Sequence, residues 1–318
     1  VLVERERDVA MAGRDVHIPV MLDEAVEGLA LRENGRYLDG TFGRGGHARA
    51  ILSRLSADGR LFLMDRDPTA IAVAEADLAT DPRVALRHDN FATMGEWPAL
   101  EGGLDGILLD LGVSSPQLDD RSRGFSFMAD APLDMRMDTT RGISAADFLA
   151  EADEVEIADV LWRFGEERFS RRIAKVIVER RATTPIIRTA ELADLVAGCV
   201  GRREPGKNPA TRTFQALRIR VNAELESVER GLDAALELLK IGGRLAVISF
   251  HSLEDRTVKQ FIRSHEGRVQ GSRRGPPPTA ANQARLKPVG KAIFPSDAEV
   301  AANPRSRSAV LRIAEKIA

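Results

Sequence analysis

The sequence predicts an α/β fold, a parallel sheet with helices on both faces, interrupted by a small all-helical insertion. Three observations carry this reading. Short apolar runs alternate with helical stretches from His17 to about Asp119, each run ends in an aspartate, and strand signals stop near Asp120 and return only after Val221.

The first strand is Tyr37-Leu38, closed by Asp39. Gly40, Gly43, Gly45 and Gly46 then make a turn free to take positive φ, and helical sequence runs from Ala48 to Leu55. Strand, glycine turn and helix N-terminus together bring backbone N–H groups close to a ligand. A helix beginning near Asp23 precedes this unit, after apolar Val20, Met21 and Leu22. The second strand, Leu61 to Met64, ends in Asp65-Arg-Asp67-Pro68, with Pro68 suited to the first turn of a helix through Ala70, Val73 and Ala76. The third, Val84 to His88, ends in Asp89-Asn-Phe91, and the fourth, Gly106 to Leu109, in the loop Asp110 to Gln117.

Between Asp120 and Val221 a polar, glycine-marked loop leads into helices whose apolar faces are Val155, Ala158, Leu161 and Trp162; Phe169, Ile173, Val176 and Ile177; and Leu192, Leu195 and Val196, with Thr189 as N-cap. The sheet pattern returns after a helix through Leu225, Val228, Leu232, Leu236 and Leu239, stopped by Gly242-Gly243. A strand Arg244 to Phe250, a helix through Val258, Phe261 and Ile262, a turn at Arg273 to Pro278 and a last strand Ser308 to Ile313 complete the chain. The expected organisation is a charged leader at 1–16, a discontinuous sheet domain at 17–119 and 222–318, and a helical insertion at 120–221.

Lys+Arg 46 against Asp+Glu 48 gives a net charge of -2, so nucleic-acid contact must come from local basic patches. The insertion carries one, Arg168, Arg171, Arg172, Lys175, Arg180, Arg181, Arg202, Arg203, Lys207, Arg212, Arg218 and Arg220; Arg273, Arg274, Arg285, Lys287 and Lys291 form another. A solvated helix face is the ordinary role of such charges, and phosphate binding is the functional one. The single cysteine, Cys199, excludes an intrachain disulfide and fits a reducing, cytoplasmic setting. The five histidines show no metal-ligand spacing, so no metal is expected; His251 is placed either in a base pocket or in turn packing. No apolar run approaches the ~20 residues of a membrane helix, and the leader lacks a signal-peptide core.

One aspartate after a strand is an ordinary cap, but Asp39, Asp65, Asp89 and Asp110 share one sheet edge. Asp65 is placed to accept from both hydroxyls of a ribose, Asp89 and Phe91 to meet an adenine, and Asp39 to attract a cation. Gly43-x-Gly45-x-x-Ala48 also fits a dinucleotide loop, which keeps a nicotinamide-dependent oxidoreductase as the alternative. The crowd of carboxylates repels a pyrophosphate and favours the sulfonium and ammonium of S-adenosyl-L-methionine.

Asp39-Gly-Thr-Phe-Gly-Arg-Gly-Gly-His47, Asp110-Leu-Gly-Val-Ser-Ser-Pro-Gln-Leu-Asp-Asp120, Pro132-Leu-Asp-Met-Arg-Met137, Gly165-Glu-Glu-Arg-Phe169, Thr211-Arg-Thr-Phe-Gln-Ala216 and Ile248-Ser-Phe-His-Ser-Leu-Glu-Asp-Arg256 resemble the bacterial ribosomal RNA small subunit methyltransferase H family, also called MraW. The resemblance runs from His17 to the C-terminus. It implies a class I, Rossmann-like methyltransferase with a helical insertion that uses S-adenosylmethionine to methylate N4 of a cytidine in 16S rRNA near the decoding site. It also implies cofactor contacts from Gly45, Gly46, His47, Asp65, Phe91, Asp110 and Gln117. A non-catalytic RNA-binding assembly protein of the same fold is the second alternative.

The chemistry of such a target agrees with the residues. An exocyclic amine has its lone pair conjugated into the ring, and acceptors aimed at its N–H bonds favour the pyramidal nitrogen of the transition state. Asp110, the carbonyls of Leu111 to Pro116 and the hydroxyls of Ser114 and Ser115 are the candidate acceptors. Phe125 and Phe127 are candidates for walls around an unstacked base, against a plain anchoring role.

Overall fold

The computed structural model describes residues 19–200, 208–266 and 284–318. The leader, His17, Arg202, Arg203, Lys207, Arg273, Arg274 and the turn to Pro278 lie outside the described residues.

Seven strands form one sheet: β1 (Arg36–Asp39), β2 (Arg60–Asp65), β3 (Val84–His88), β4 (Leu104–Asp110), β5 (Leu239–Ser249), β6 (Leu286–Pro288) and β7 (Val310–Lys316), in the order β3-β2-β1-β4-β5-β7-β6. β1 to β5 pair in parallel, and β7 runs antiparallel to both β5 and β6. Strand order reverses between β1 and β4, which opens a crevice at their carboxyl ends, where Asp39 and Asp110 stand.

The period of two along each strand divides the core. Tyr37, Leu61, Leu63, Leu108 and Ile248 face α1 (Leu22–Gly28), α2 (Gly46–Leu52) and α3 (Pro68–Leu78). After β4 the chain leaves the sheet through α4 (Ser115–Asp119) and, among the described residues, builds five helices, α5 (Ala145–Glu151), α6 (Glu154–Gly165), α7 (Ser170–Arg181), α8 (Thr189–Cys199) and α9 (Thr211–Val221). These enclose a core of their own, including Leu133, Phe148, Ile157, Leu161, Ile173, Leu192, Cys199 and Phe214. Leu38, Phe62, Met64, Ile107, Leu109 and Val247 face the opposite way, against α10 (Glu224–Leu238) and α11 (Ser252–His265). A short α12 (Asp297–Ala302) precedes β7.

Three local readings change. β5 starts at Leu239, and Gly242-Gly243 forms a bulge inside it: the β4 register passes from Leu104↔Leu239 to Gly106↔Arg244, and a Cβ on Gly243 would lie 2.9 Å from the carbonyls of Leu104 and Lys240. The buried face of α6 is Ile157, Val160 and Leu161, while Val155 and Trp162 are exposed. Thr189 is the first helical residue of α8 rather than its cap; its hydroxyl accepts from Ala131 N–H and donates to the Ala129 carbonyl, and Glu191 takes the N–H groups of Ile187 and Arg188. β6 and α12 carry no signal strong enough to read from the chain alone.

Candidate active site

A cavity of about 450 Å³ opens at the carboxyl ends of β1 and β4. One wall is the turn after β1, stitched to its neighbours by Gly40 N–H to the Leu108 carbonyl and Phe42 N–H to the Met64 carbonyl. Gly43 has φ of 54°, and a Cβ there would meet only the Thr41 carbonyl oxygen at 3.9 Å and Ser114 Cβ at 4.0 Å, both ordinary contacts, so backbone conformation rather than packing favours glycine there. Gly46 answers to packing, since a Cβ would sit 2.0 Å from Pro19. Gly45 lies just behind the cavity surface at the head of α2, with the Phe42 ring where its Cβ would be.

The carboxylates at the strand ends separate into roles. Asp65 lines the cavity while its two oxygens accept from Gly43 N–H (2.7 Å) and Asp67 N–H (2.8 Å), which ties the glycine turn to the end of β2. Burial raises its pKa to about 6 against those bonds. Asp39 lies beneath the cavity wall, 1% exposed; Oδ1 accepts from Thr41 N–H, and Oδ2 has no hydrogen-bond partner among the described residues. Burial, with Asp65 adding to it, pushes its pKa up to about 7. Asp110 lines the cavity with Oδ1 likewise unpartnered, and burial, Asp39 and Glu254 hold its proton affinity well above the usual carboxylate range. Its N–H donates to Thr41 Oγ1 at 2.6 Å. His47 is buried beside it, Nδ1 3.8 Å from Asp110 Oδ2 and Nε2 bonded to the Val20 carbonyl at 3.1 Å. Asp89 does not reach the cavity; Asn90 N–H and Arg87 satisfy its carboxylate at the sheet edge, which removes it from the adenine role.

Phe91 lines the cavity against Gly231 of α10, where a Cβ would lie 2.5 Å from its ring. Ser114 and Ser115 line it at the start of α4. Gln117 is buried, its carbonyl accepting from Ser114 N–H and its amide donating to Asp67 Oδ2 at 2.7 Å. The same Asp67 oxygen accepts from Arg123 Nη1 at 3.0 Å, and Arg123 Nη2 reaches the Arg136 and Met137 carbonyls. Asp67, read only as a turn residue, is thus the buried joint between sheet and helices.

The far wall belongs to the helical lobe. Phe127, half-buried, meets Phe214 edge to face at 5.1 Å and both line the cavity; Phe125 is buried at its margin. Arg218, counted above with the surface charges, is turned inward and donates through Nε and Nη2 to both oxygens of Glu224. Ligand atoms of Glu224, His251 and Glu254 lie within 4.8 Å of one another, an arrangement that the histidine spacing did not announce. His251 is the N-cap of α11, its side chain accepting from Glu254 N–H. Cys199 lies in the lobe core, outside the cavity lining, its thiol pushed up by burial.

The family model described as the MraW methylase family matches residues 14–317. A ribosomal RNA small subunit methyltransferase H from Stenotrophomonas maltophilia is 58% identical over 95% of this chain and 93% of its own length; one from Xanthomonas euvesicatoria is 57% identical over 95% and 89%. The chain belongs to the MraW methylase family. A solved rRNA methylase from Streptococcus thermophilus overlaps at 11% identity and a TM-score of 0.43, covering 95% of this chain and 100% of that one.

Membership of the MraW family makes this chain a methyltransferase dependent on S-adenosylmethionine on a Rossmann-like sheet, and sets the nicotinamide reading aside. The residues fit that cofactor. Asp39, buried, and Asp110, half-buried, each keep one buried oxygen without a hydrogen-bond partner among the described residues at the switch point, a costly arrangement on its own and a favourable one beside a cation.

Proposed function

We propose that this protein methylates the exocyclic N4 amine of a cytidine in 16S rRNA near the decoding site, within a small ribosomal subunit or an assembly intermediate in the cytoplasm. The observation that carries the reading is the acceptor-rich turn Asp110 to Gln117 facing an aromatic-walled cavity that contains no thiol. The names printed for the relatives support an rRNA substrate. Residues 17–119 and 222–318 form the catalytic domain in this reading, and 120–221 recognise the substrate.

Gly45, Gly46 and His47 on the glycine turn, with Asp39, Asp65, Phe91, Asp110 and Gln117, would hold the cofactor, which when bound would supply a methyl group made electrophilic by its sulfonium. Gln117 acts by fixing the turn, since its own amide is engaged by Ser114 and Asp67. Asp110, with Ser114 and Ser115 beside it, would accept from the amine's N–H bonds and favour the pyramidal nitrogen whose lone pair is free to attack. The nitrogen becomes acidic as the bond forms, so its proton leaves without a strong base, and an ionised Asp110 beside the cation is placed to take it. Mass spectrometry of 16S rRNA nucleosides from cells with and without this protein tests the reading. Loss of N4-methylcytidine with the protein is expected; an unchanged nucleoside profile refutes it.

A further inference from the structure

Arg218, Glu224, His251 and Glu254 all line the cavity, and methyl transfer as derived above uses none of them. Two of the four are glutamates almost without solvent contact: Glu224 is 6% exposed and Glu254 1%. Between them the Arg218 guanidinium is turned in from α9, its side chain 17% exposed. Nε and Nη2 are spent on Glu224 Oε1 and Oε2, at 2.9 and 2.8 Å. Among the described residues Nη1 has no hydrogen-bond partner, so the clamp leaves one donor edge of a rigid, planar group over the cavity. Burial works against the charge, and Glu224 and Glu254 more than restore it. Glu254 is itself held in place, Oε2 by Phe250 N–H and Oε1 3.2 Å from His251 Nε2.

Thr211, Phe214, Gln215 and Arg218 recur at helical spacing, so one face of α9 forms this wall, with Phe127 and Phe250 as aromatic neighbours. Asp110 lines the same cavity, close enough for the charge of Glu254 to act on it. A planar base held in this cavity with its amine toward Asp110 has its other edge groups free to meet α9. Cytosine carries its acceptors, N3 and O2, next to the amine, whereas uracil carries N3–H at the first of these positions. A group that only donates matches the first pattern and opposes the second.

We propose that Arg218 is the specificity-determining residue for the target base, its guanidinium donating from Nη1 to the N3 and O2 edge of the cytosine while Glu224 fixes its plane. This rests on the cytidine reading above and adds the residue that selects the base.

The test is calorimetric binding of cytidine, 3-deazacytidine and uridine to the full-length protein saturated with S-adenosylhomocysteine. 3-Deazacytidine keeps the amine and O2 but has C–H in place of the N3 acceptor. Wild type is expected to bind cytidine at least about tenfold more tightly than either analogue, and Arg218→Met to bind cytidine and 3-deazacytidine within about twofold of each other, with its affinity for S-adenosylhomocysteine kept; uridine, which also lacks the amine that meets Asp110, stays the weaker ligand of both proteins. Should Arg218→Met fail to fold, Arg218→Met/Glu224→Gln, which removes both partners of the buried pair, and Arg218→Lys take its place in the same comparison. A wild-type protein indifferent to the N3 substitution, or a folded variant that keeps the wild-type preference, overturns the assignment. The nucleoside profile of the rRNA reports on N4 methylation independently, so a failure of this assignment is distinguishable from a failure of the cytidine reading on which it rests.

Discussion

Asp39 is buried with one oxygen unpartnered and a pKa of about 7, so its proton is retained in the folded chain long after an unfolded chain has released it. Below the ordinary carboxylate range both states are protonated and no penalty exists. Between about pH 4 and about 7 the native state holds more protons, so the stability of the ligand-free protein falls as pH rises through that window. Asp65, raised to about 6, contributes in the same direction. Asp39→Asn should therefore show a shallower fall of Tm with pH than wild type, and parallel curves would mean that Asp39 ionises freely. A second prediction separates the two cytosine chemistries. Attack from C5 needs a cysteine thiolate, and Cys199 lies in the lobe core with its thiol pushed up rather than down. Cys199→Ala should keep near-normal turnover and Asp110→Ala should lose most of it while remaining folded; the reverse pattern, or 5-methylcytidine as product, would discard the amine mechanism.

At the scale of elements, the joint between sheet and lobe is one oxygen of Asp67, shared by Gln117 of α4 and Arg123. Both members of the ion pair are buried, with side chains 10% and 3% exposed. Breaking such a pair leaves an uncompensated charge, and Arg123→Met is expected to cost about 3–5 kcal/mol in urea unfolding. A loss below about 0.5 kcal/mol would show that water replaces the guanidinium. The turn carrying Ser114 and Ser115 hangs from the same joint through Gln117, so a folded Arg123 variant should also lose turnover.

At the scale of the molecule, acidic strand ends face a lobe whose outer helix α7 exposes Arg171 and Arg172. If that surface binds the substrate backbone, affinity for rRNA falls with salt, and changing both arginines to alanine reduces the log–log slope by roughly 1.4–1.8. An unaltered slope would move the phosphate contacts elsewhere. Arg181 and Arg218 cannot contribute in the same way: Arg181 is bonded to the Leu149 and Ala152 carbonyls and Arg218 to Glu224.

Sequence by itself determined the first four strands of the sheet, because a short apolar run and an aspartate at or just after its carboxyl end are local signals that a strand writes into its own residues. It also determined the glycine turn and, through long matching blocks, the family. What it could not decide depends on residues far away in the chain. Whether Gly242-Gly243 ends a helix or bulges a strand is settled by the Leu104 carbonyl across the sheet, and the buried side of α6 by the helices packed on it. Arg218 reads as one more surface cation until α10 brings Glu224 beneath it and α11 brings Glu254 beside it. A charge becomes a binding group only when tertiary contacts desolvate and orient it, and that step leaves no mark on local sequence.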